Sequence, residues 1–323
     1  MHWKTLLLFA LSLSLLVIYN EFLVYYFVLI QCTWPMLDVS KSEFNDFAKT
    51  SLKAMVLADT HLLGSREGHW FDRIRREWQM ERAFQTAMTI HSPDVTFVLG
   101  DLFDEGKWCS DAEFQDYLHR FQQMFRVPEN TEMQVVVGNH DIGFHYMVDR
   151  KKQRRFASAF SSPSVRMLRL NGVIFIMLNS MAFEGDSCEM CTEARQQLKK
   201  ITTTLSCAKG AYTRTSCINE DLFTYTKPVI LQHFPLYRTS DANCSGVDSA
   251  PPDEKYKHMK AKWDTLSPEA SSMLLDTLQP RLVISGHTHH FCQTWHPGGV
   301  TEWTVPSFSW RNKKTPSFLL VCL

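Results

Sequence analysis

Apolar runs of strand length alternate with amphipathic segments from residue 52 to the end of the chain. One of the runs, residues 173–178 (VIFIML), is apolar throughout, as expected for a strand that is buried on both faces. Such alternation is typical of an α/β fold, in which helices cover the faces of a sheet. We therefore predict one α/β domain over residues 52–323.

Three segments predict helices. Residues 72–90 repeat their large apolar side chains at helical spacing, and a Ser-Pro-Asp sequence ends the repeat. In residues 110–125, Ser110 and Glu113 stand at capping-box spacing before an apolar stripe, which we interpret as core and not as a cofactor site. A third helix is predicted to begin after Ser267, because a proline follows at the first helical position.

The N-terminal segment has a different pattern. Residues 5–30 are almost wholly apolar and exceed the roughly 20 residues that cross a bilayer, so we predict a transmembrane anchor over residues 1–34 and a juxtamembrane linker over residues 35–51. A cleaved signal peptide is the alternative, but its apolar core is shorter and ends in a small-residue cleavage site that this sequence lacks. Asn20 and Glu21 interrupt the run; a tolerated protonated Glu21 or a shifted span explains them, and a partner helix is the sharper alternative.

Charges around the anchor predict its orientation. Lys4 precedes the apolar run, and Asp38 and Glu43 follow it, so the positive-inside rule places the N-terminus in the cytosol and the remainder in the lumen. The only N-glycosylation sequon, at Asn243, fits a lumenal loop. The formal net charge is zero, so nothing in the bulk electrostatics indicates a nucleic acid as partner.

Residues 184–226 have weak periodicity and many Thr and Cys, and we predict a cysteine-rich insertion without regular elements. The chain has nine cysteines, and four of them fall in this stretch, at positions 188, 191, 207 and 217. Such crowding favours disulfides formed in an oxidising lumen. Cys188 and Cys191 could instead be half of a zinc site, although no matching pair follows. The odd total leaves at least one cysteine unpaired or paired outside the chain.

Polar side chains follow an apolar strand in five places, and these motifs carry the chemistry. Each motif alone is weak, but their order along the chain is specific. Functional groups collect at the carboxyl ends of strands in open α/β sheets, and carboxylate, amide and imidazole ligands together suit Mn, Fe or Zn better than Mg alone. The motifs are D-x-H at 59–61, G-D-x-x-D at 100–104, G-N-H-D at 138–141, His233, and G-H-x-H at 286–289.

With all five motifs present, the chain resembles the calcineurin-like metallophosphoesterase superfamily from about residue 52 to the end. The resemblance implies two mixed β-sheets flanked by helices, a metal-dependent phosphoric ester hydrolase, and two divalent metal ions that trap a bridging hydroxide able to attack phosphorus at neutral pH. The implied ligands are Asp59, His61 and His289 for the first metal, Asn139, His233 and His287 for the second, and Asp101 as the bridge between them.

His140 stands next to the predicted ligand Asn139, and we expect it to be catalytic by donating a hydrogen bond to the leaving oxygen. Asp104 and Asp141 are expected to orient His140 and the backbone. The glycines at the strand ends are expected to allow tight turns. His145 and His290 are alternatives for a substrate or supporting role, and the other histidines are expected at the surface. These are His69, His91, His119, His258 and His296.

One difference within the superfamily bears on the substrate. Phosphoprotein phosphatases carry an arginine directly after G-D-x-x-D, where it binds a phosphomonoester dianion, whereas Glu105 stands there in this chain. An acid would repel a dianion, so we expect a phosphodiester. The anchor, Trp34-Pro35 and the run 305–312 (VPSFSWRN) further resemble family members that remodel glycosylphosphatidylinositol (GPI) anchors.

This closer resemblance implies removal of ethanolamine-phosphate from the glycan of GPI-anchored proteins, with manganese as cofactor and cargo receptors as further partners. It also implies a membrane location in the early secretory pathway, at ER exit sites, the ER–Golgi intermediate compartment and the cis-Golgi. Such relatives continue into a second transmembrane helix and a sorting tail, whereas residues 317–323 are too few to span a bilayer, so we expect a truncated or alternatively ended form.

Three alternatives remain open from the sequence. A lumenal phosphomonoesterase or a sphingomyelinase-like phosphodiesterase would share every predicted ligand. A non-catalytic phosphoesterase-like binding module is the alternative of another class, and the intact His140 and seven ligands argue against it. Arg311, Lys313 and Lys314 could meet phosphate head groups, although a solvated basic turn is the simpler interpretation.

Overall fold

The computed structural model of the chain describes residues 3–35, 51–144, 147–185, 188–210, 217 and 223–323. The strands among them are β1 (Lys53–Leu57), β2 (Val95–Leu99), β3 (Glu132–Val136), β4 (Val165–Leu170), β5 (Val173–Leu178), β6 (Val229–Gln232), β7 (Leu282–Ser285), β8 (Cys292–His296), β9 (Val300–Thr304) and β10 (Leu319–Cys322). The α-helices are α1 (Trp3–Ile18), α2 (Val24–Leu29), α3 (Trp70–His91), α4 (Asp111–Met124), α5 (Asn139–Ile142), α6 (Arg150–Phe160), α7 (Glu189–Ala208), α8 (Pro252–Lys255) and α9 (Pro268–Leu278).

Two mixed sheets contain these strands, which confirms the predicted fold class. The first sheet has the order β10-β1-β2-β3 and the second the order β4-β5-β6-β7-β9-β8. β1, β2 and β3 run parallel to one another, as do β5, β6, β7 and β9, while the edge strands β10, β4 and β8 pair antiparallel. Parallel neighbours place their carboxyl ends at the same edge of each sheet, which is where the polar motifs follow.

The core between the sheets is built from alternate residues of the central strands. Val56 and Phe97 of the first sheet and Phe175 and Leu231 of the second belong to one buried cluster, and the rings of Phe97 and Phe175 lie 4.8 Å apart between centroids. The other faces of the strands pack with the helices in a second, larger cluster. Both faces of the central strands are therefore buried, as their continuous apolar sequences predict.

The predicted helices are confirmed with small changes of bounds. α3 covers the predicted segment and ends at His91. The next residue, Ser92, caps the helix with a left-handed backbone, φ 43°. α4 begins with the predicted capping box, in which Ser110 and Glu113 bond to each other's backbone N–H groups. α9 begins at Pro268, and the Ser267 hydroxyl accepts the N–H of Ala270.

The prediction of no regular element in residues 184–226 was wrong, because α7 occupies 20 of these residues. Its buried side chains include Cys191, Ala194, Leu198 and Leu205, at intervals of three, four and seven residues. That spacing is helical, and packing of this face overrides the weak helix propensity of the threonines. The hydroxyls of Thr202, Thr203 and Thr204 donate to carbonyls four residues earlier.

The four clustered cysteines are disulfide-bonded, as predicted. The structure pairs Cys188 with Cys191 and Cys207 with Cys217. The first of these pairs excludes the alternative of half a zinc site. A third disulfide, Cys244–Cys292, was not anticipated, and it leaves Cys32, Cys109 and Cys322 as free cysteines. Asn243, the sequon residue beside the third disulfide, is exposed.

The N-terminal helix runs from Trp3 to Leu29 through α1, a π-helical turn and α2, and it is long and apolar enough to cross a membrane. Its last turns pack against α3, where the rings of Phe22 and Trp78 meet edge to face at 5.6 Å. Trp78 Nε1 also donates to Glu21 at 3.0 Å. Glu21 therefore has a hydrogen-bond partner on another helix, as one of the three explanations for this residue requires. Residues 36–50, most of the predicted linker, lie outside the described part of the chain.

Two of the histidines expected at the surface are not there. His91 is buried at the end of α3, where the Trp34 indole donates to its carbonyl oxygen at 3.2 Å. The side chain of His296 is largely buried and its Nε2 lies 2.9 Å from Oε2 of the fully buried Glu302. Isolated histidines have no periodic context, so these contacts could not be predicted from the sequence.

Candidate metal centre

The structure brings all seven predicted ligands together at one edge of the two sheets. Ligand atoms of Asp59, His61 and His289 lie within 4.8 Å of one another, and so do those of Asp101, His233 and His287. The seventh residue joins the second group, because Asn139 Oδ1 lies 3.1 Å from His233 Nε2. The geometry thus forms two adjoining groups of the predicted composition.

Both sheets supply residues to each group. From the first sheet, Asp59 and His61 follow β1, Asp101 follows β2, and Asn139 opens α5 just after β3. From the second sheet come the residues after β6 and β7, namely His233, His287 and His289. The short distance from strand end to ligand explains why the motifs are so compact in sequence.

Five of these residues have left-handed backbones. Such φ values cost non-glycine residues of the order of 1–3 kcal/mol each and persist only where the surroundings enforce them. Backbone hydrogen bonds hold two of them: the N–H of Asp59 donates to the Gly100 carbonyl and that of His61 to the Asp101 carbonyl, at 3.1 and 3.0 Å. The residues are Asp59 (φ 57°), His61 (44°), Asp101 (50°), His287 (73°) and His289 (64°).

The glycines of the motifs do more than allow turns, and only Gly100 has a positive φ, at 85°. A Cβ at Gly138 would overlap the backbone nitrogen and carboxylate of Asp101. A Cβ at Gly286 would lie 2.8 Å from the Ala58 Cβ and 2.9 Å from Asp59 Oδ2. The expectation of tight turns is therefore corrected at two positions, where close approach of a neighbouring carboxylate requires glycine.

Backbone carbonyls fix the ring orientation of two histidines. His233 Nδ1 donates to the Leu99 carbonyl at 2.7 Å, which leaves Nε2 directed at Asn139 and, at 3.3 Å, at Asp101 Oδ2. His287 is reversed: its Nε2 donates to the Trp263 carbonyl at 2.8 Å, and its Nδ1 lies 3.3 Å from His233 Nε2. A carbonyl partner on one ring nitrogen leaves the other with a lone pair for a cation.

Asp104 orients a third imidazole. Its Oδ1 lies 3.2 Å from His61 Nδ1, and His61 Nε2 lies 3.2 Å from His289 Nε2. Asp59 Oδ1 is buried, has no hydrogen-bond partner in the described structure, and lies 3.8 and 3.6 Å from the same two Nε2 atoms. A buried carboxylate oxygen facing two imidazole nitrogens fits a cation and is otherwise costly.

Burial also tunes the protonation of these groups. It lowers the pKa of His61 and of His287 to about 3 and that of His289 well below the usual value, so these imidazoles are uncharged bases at neutral pH. Burial alone would raise the pKa of Asp101, but the imidazoles of His233 and His140 hold it well below the usual range. Three neutral imidazoles around an ionised carboxylate suit a transition-metal cation. His233 differs: burial lowers its pKa, but the Asp101 and Asp59 carboxylates raise it to about 9, so a cation that binds this imidazole must displace a proton.

His140 lies beside this centre with its side chain partly exposed. Its backbone N–H donates to Asp101 Oδ1 at 2.7 Å, and its Nδ1 donates to the Asp104 carbonyl at 2.8 Å. The Asp104 carboxylate lies 3.4 Å from the same Nδ1, and Asp141 accepts the N–H groups of Gly138 and Phe103 at 2.9 and 3.0 Å. Asp104 and Asp141 thus make the orienting contacts expected of them.

A family model described as calcineurin-like phosphoesterase matches residues 52–291. The chain belongs to the calcineurin-like phosphoesterase family. It is 50% identical over 303 residues to "Metallophosphoesterase 1" of Cricetulus griseus and 51% identical over 304 residues to that of Rattus norvegicus, in each case over 94% of this chain and 76% of the relative. A crystal structure of a dimetal phosphatase from Danio rerio aligns with a TM-score of 0.44 and 14% identity, over 79% of this chain and 87% of that one.

Membership of this family makes the chain a metal-dependent phosphoesterase, as the motifs predicted.

Two residues beside the centre of this phosphoesterase were missed by the sequence analysis. Lys107 Nζ lies 3.4 Å from both ring nitrogens of His140 and 4.6 Å above the Trp108 ring, and burial lowers its pKa. Arg311 forms ion pairs with the buried Asp104 and, at 3.3 Å, with Glu67.

The interpretation of Arg311 and Lys313 as a solvated basic turn was wrong for both. Arg311 is paired with Asp104, and Lys313 donates to the Asp248 carbonyl at 3.0 Å. His290 pairs with Glu254 at 3.2 Å. The other histidine considered near the site, at position 145, lies outside the described residues.

The expectation that Glu105 repels a phosphate dianion was also wrong in its premise. Glu105 is completely buried. Its carboxylate accepts the N–H groups of Arg66 and Glu67 at 3.0 and 2.7 Å, and the Tyr117 hydroxyl at 3.4 Å. The carboxylate therefore holds the loop before α3 in place. Its charge does not discriminate between a phosphomonoester and a phosphodiester substrate.

A cleft of about 420 Å³ adjoins the centre of the phosphoesterase at His287. Trp263, whose ring edge meets Phe144, forms part of its wall, and 51% of Trp263 is exposed. Glu254 and His290 line the cleft as well. A larger cavity of about 730 Å³ has Arg195 and Leu198 of α7 and Ala270 and Met273 of α9 in its lining and includes no residue of the centre.

Proposed function

We propose that this phosphoesterase uses two metal ions held by the seven converging residues, and that its substrate is a phosphodiester, as the resemblance to GPI-remodelling family members implies. The observation that carries the two-metal proposal is the ligand set itself, with three uncharged imidazoles, an ionised carboxylate at its centre and a buried Asp59 oxygen that lacks a partner among the described residues. Mixed oxygen and nitrogen ligands favour manganese, with iron or zinc as competitors. The ligands are Asp59, His61, Asp101, Asn139, His233, His287 and His289.

Asp101 is the residue placed between the two groups. Its Oδ2 lies 3.3 Å from His233 Nε2 and 3.7 Å from His61 Nε2, so one carboxylate oxygen faces an imidazole of each group. Its Oδ1 accepts the backbone N–H of His140, which fixes the carboxylate plane. When bound, two cations supply a nucleophile at neutral pH and offset the charge that develops at phosphorus.

His140 then serves the leaving group. Its Nδ1–H donates to the Asp104 carbonyl, so the doubly protonated imidazolium is the form that carries a second proton, on Nε2, for the departing oxygen, and the transfer leaves a neutral ring. The Lys107 ammonium, 3.4 Å from the same ring, adds a positive charge where the alkoxide would form. Transfer of the Nε2 proton to the leaving oxygen completes the cleavage of the phosphorus–oxygen bond.

We further propose that the substrate is the ethanolamine-phosphate branch of GPI-anchored proteins in the early secretory pathway. In the cleft beside His287, the exposed ring of Trp263 offers a sugar ring a stacking surface, and the Glu254 carboxylate would attract the ammonium of ethanolamine. The candidate membrane span, the three disulfides and the exposed Asn243 support a lumenal domain beside the membrane. Cargo receptors remain proposed further partners on resemblance alone.

Mass spectrometry of GPI glycans tests this substrate. Cells that lack the protein should accumulate glycans with an additional ethanolamine-phosphate, and the wild-type chain should remove that mass. His140→Ala should fail to do so at equal expression, while Trp295→Ala, which truncates an exposed side chain on β8, should behave as wild type. Unchanged glycans in the deficient cells would refute the substrate, and release of phosphocholine from sphingomyelin would support the sphingomyelinase-like alternative.

A further inference from the structure

The first turns of α3 expose three large apolar side chains on one side of the molecule. Trp70, Phe71 and Ile74 are 62%, 54% and 58% exposed. Outside the N-terminal helix, the other exposed large apolar side chains of the described residues are scattered singly along the sequence. They are Trp108, Val247, Tyr256, Trp263 and Trp295. We call Trp70, Phe71 and Ile74 the α3 apolar patch.

The α3 apolar patch continues the surface on which the N-terminal helix packs. Phe22 meets Trp78, one turn after Ile74, and the Arg82 guanidinium lies over both of these rings, at 5.6 and 4.7 Å from their centroids. Further along, Leu29 joins the buried core. The contact is fixed by the Glu21–Trp78 hydrogen bond, which links a carboxylate within the apolar run to this helix.

The contacts also give the relative direction of the two helices. Phe22 lies against Trp78, and Trp34, after the N-terminal helix, lies against His91 at the end of α3. The two helices therefore run parallel to each other. The start of α3 lies beside the part of the N-terminal helix that precedes Phe22.

Lengths place this part of the helix at the membrane. A helix of 27 residues is about 40 Å long at 1.5 Å per residue, whereas the hydrocarbon core measures about 30 Å, so the last turns emerge from it. The emerging turns follow Phe22, and the α3 apolar patch lies on the other side of this contact, so the patch adjoins the last part of the helix that is still within the membrane. Trp and Phe are favoured at this depth, and Arg73, Arg75 and Arg76 in the same turns can extend to lipid phosphates.

We propose that the α3 apolar patch inserts into the interface of the bilayer that the N-terminal helix spans, with a phospholipid surface as its partner. The loop between His61 and Trp70 joins this insertion to the metal centre. Within that loop Glu67 pairs with Arg311, which in turn pairs with Asp104 beside His61. Insertion would hold the centre at a fixed height over the membrane, where lipid-linked substrates lie.

Depth-dependent quenching tests the insertion, which rests on the membrane span and not on the proposed substrate. The full chain would be placed in phospholipid nanodiscs as the Cys32→Ser/Cys322→Ser variant, because both of these free cysteines are accessible, with an environment-sensitive fluorophore on Ile74→Cys and, as matched control, on Val247→Cys. We expect the probe at 74 to shift to shorter wavelength and to be quenched by nitroxide lipids, and the probe at 247 to do neither. Equal emission and quenching at the two positions would overturn the proposal.

A functional comparison separates insertion from folding. The double variant Trp70→Ser/Ile74→Ser should hydrolyse a soluble nitrophenyl phosphodiester like wild type, but should cleave a vesicle-anchored phosphodiester several-fold more slowly. Trp295→Ser removes an equally exposed tryptophan and should change neither rate. Equal losses on both substrates would assign the patch a structural role and refute the insertion. Failure of the GPI substrate alone would leave this comparison intact.

Discussion

Replacement of Asp104 by asparagine tests how far one buried carboxylate supports the metal centre. Asp104 is buried, and its Oδ1 lies 3.2 Å from His61 Nδ1 and 3.4 Å from His140 Nδ1. Its Oδ2 pairs with the Arg311 guanidinium. Asparagine preserves the volume but removes the negative charge that attracts the Arg311 guanidinium and the imidazoles of His61 and His140. His61 then keeps at most a neutral amide as the partner of its Nδ1, which orients its Nε2 less strongly than the carboxylate does.

The expected loss follows from what orienting partners contribute in metalloproteins. Removing one typically lowers metal affinity about 10- to 100-fold, which is about 1.4 to 2.7 kcal/mol. We expect the upper part of this range for Asp104→Asn, because the change also leaves the Arg311 guanidinium without its buried counter-ion. The group affected first should be the one that contains His61, so one of the two cations should be lost before the other.

Elemental analysis and competitive chelator titration measure this loss, with thermal unfolding as a check on folding. Glu302→Gln is the matched control, because Glu302 is also fully buried and its carboxylate contacts an imidazole, that of His296, outside the centre. Glu302→Gln should lower the melting temperature and leave metal affinity unchanged. If Asp104→Asn binds both cations as tightly as wild type, the orienting role is refuted.

Three further outcomes are expected. Asp101→Asn should lower the occupancy of both cations and the turnover, because Asp101 faces both groups; full occupancy by elemental analysis would contradict the bridge. His140→Ala should lose on the order of 10²-fold in rate with both cations retained, and loss of a cation would contradict its role with the leaving group. Asn243 should carry a glycan, and Cys188 and Cys217 should resist thiol labelling without reductant; no mobility shift with endoglycosidase and full labelling would contradict the lumenal placement.

The parts of the centre that the sequence predicted are those encoded within a few residues of a strand end. An apolar run followed by D-x-H or G-N-H-D specifies both the strand and the polar residue that leaves it, so Asp59 and Asn139 could be named without coordinates. The same holds for α4, where the capping box and the apolar stripe lie within one segment. Local patterns were sufficient at these positions, although they did not reveal α7, whose many threonines obscure its helical spacing.

The parts that were missed depend on contacts between distant residues. Arg311 had the sequence context of an exposed basic turn, and only the folded chain pairs it with Asp104. Glu105 had the position of a substrate-facing acid, yet the loop at Arg66 and Glu67 takes up its charge. Nor could the spacing of Cys244 and Cys292, which are 48 residues apart, indicate their pairing.

The division of the ligands between two sheets has a consequence for folding. Under the proposed ligand set, a chain that has formed only one sheet offers neither cation a full set of ligands. The nearest imidazole contact across the centre, between His61 and His289, closes a separation of 228 residues, and contacts so distant in sequence form late. Cations that bind only the docked sheets add their binding free energy to that state alone. The centre would then be complete only after the two sheets have docked, and bound cations would stabilise the docked state relative to chains that have formed one sheet.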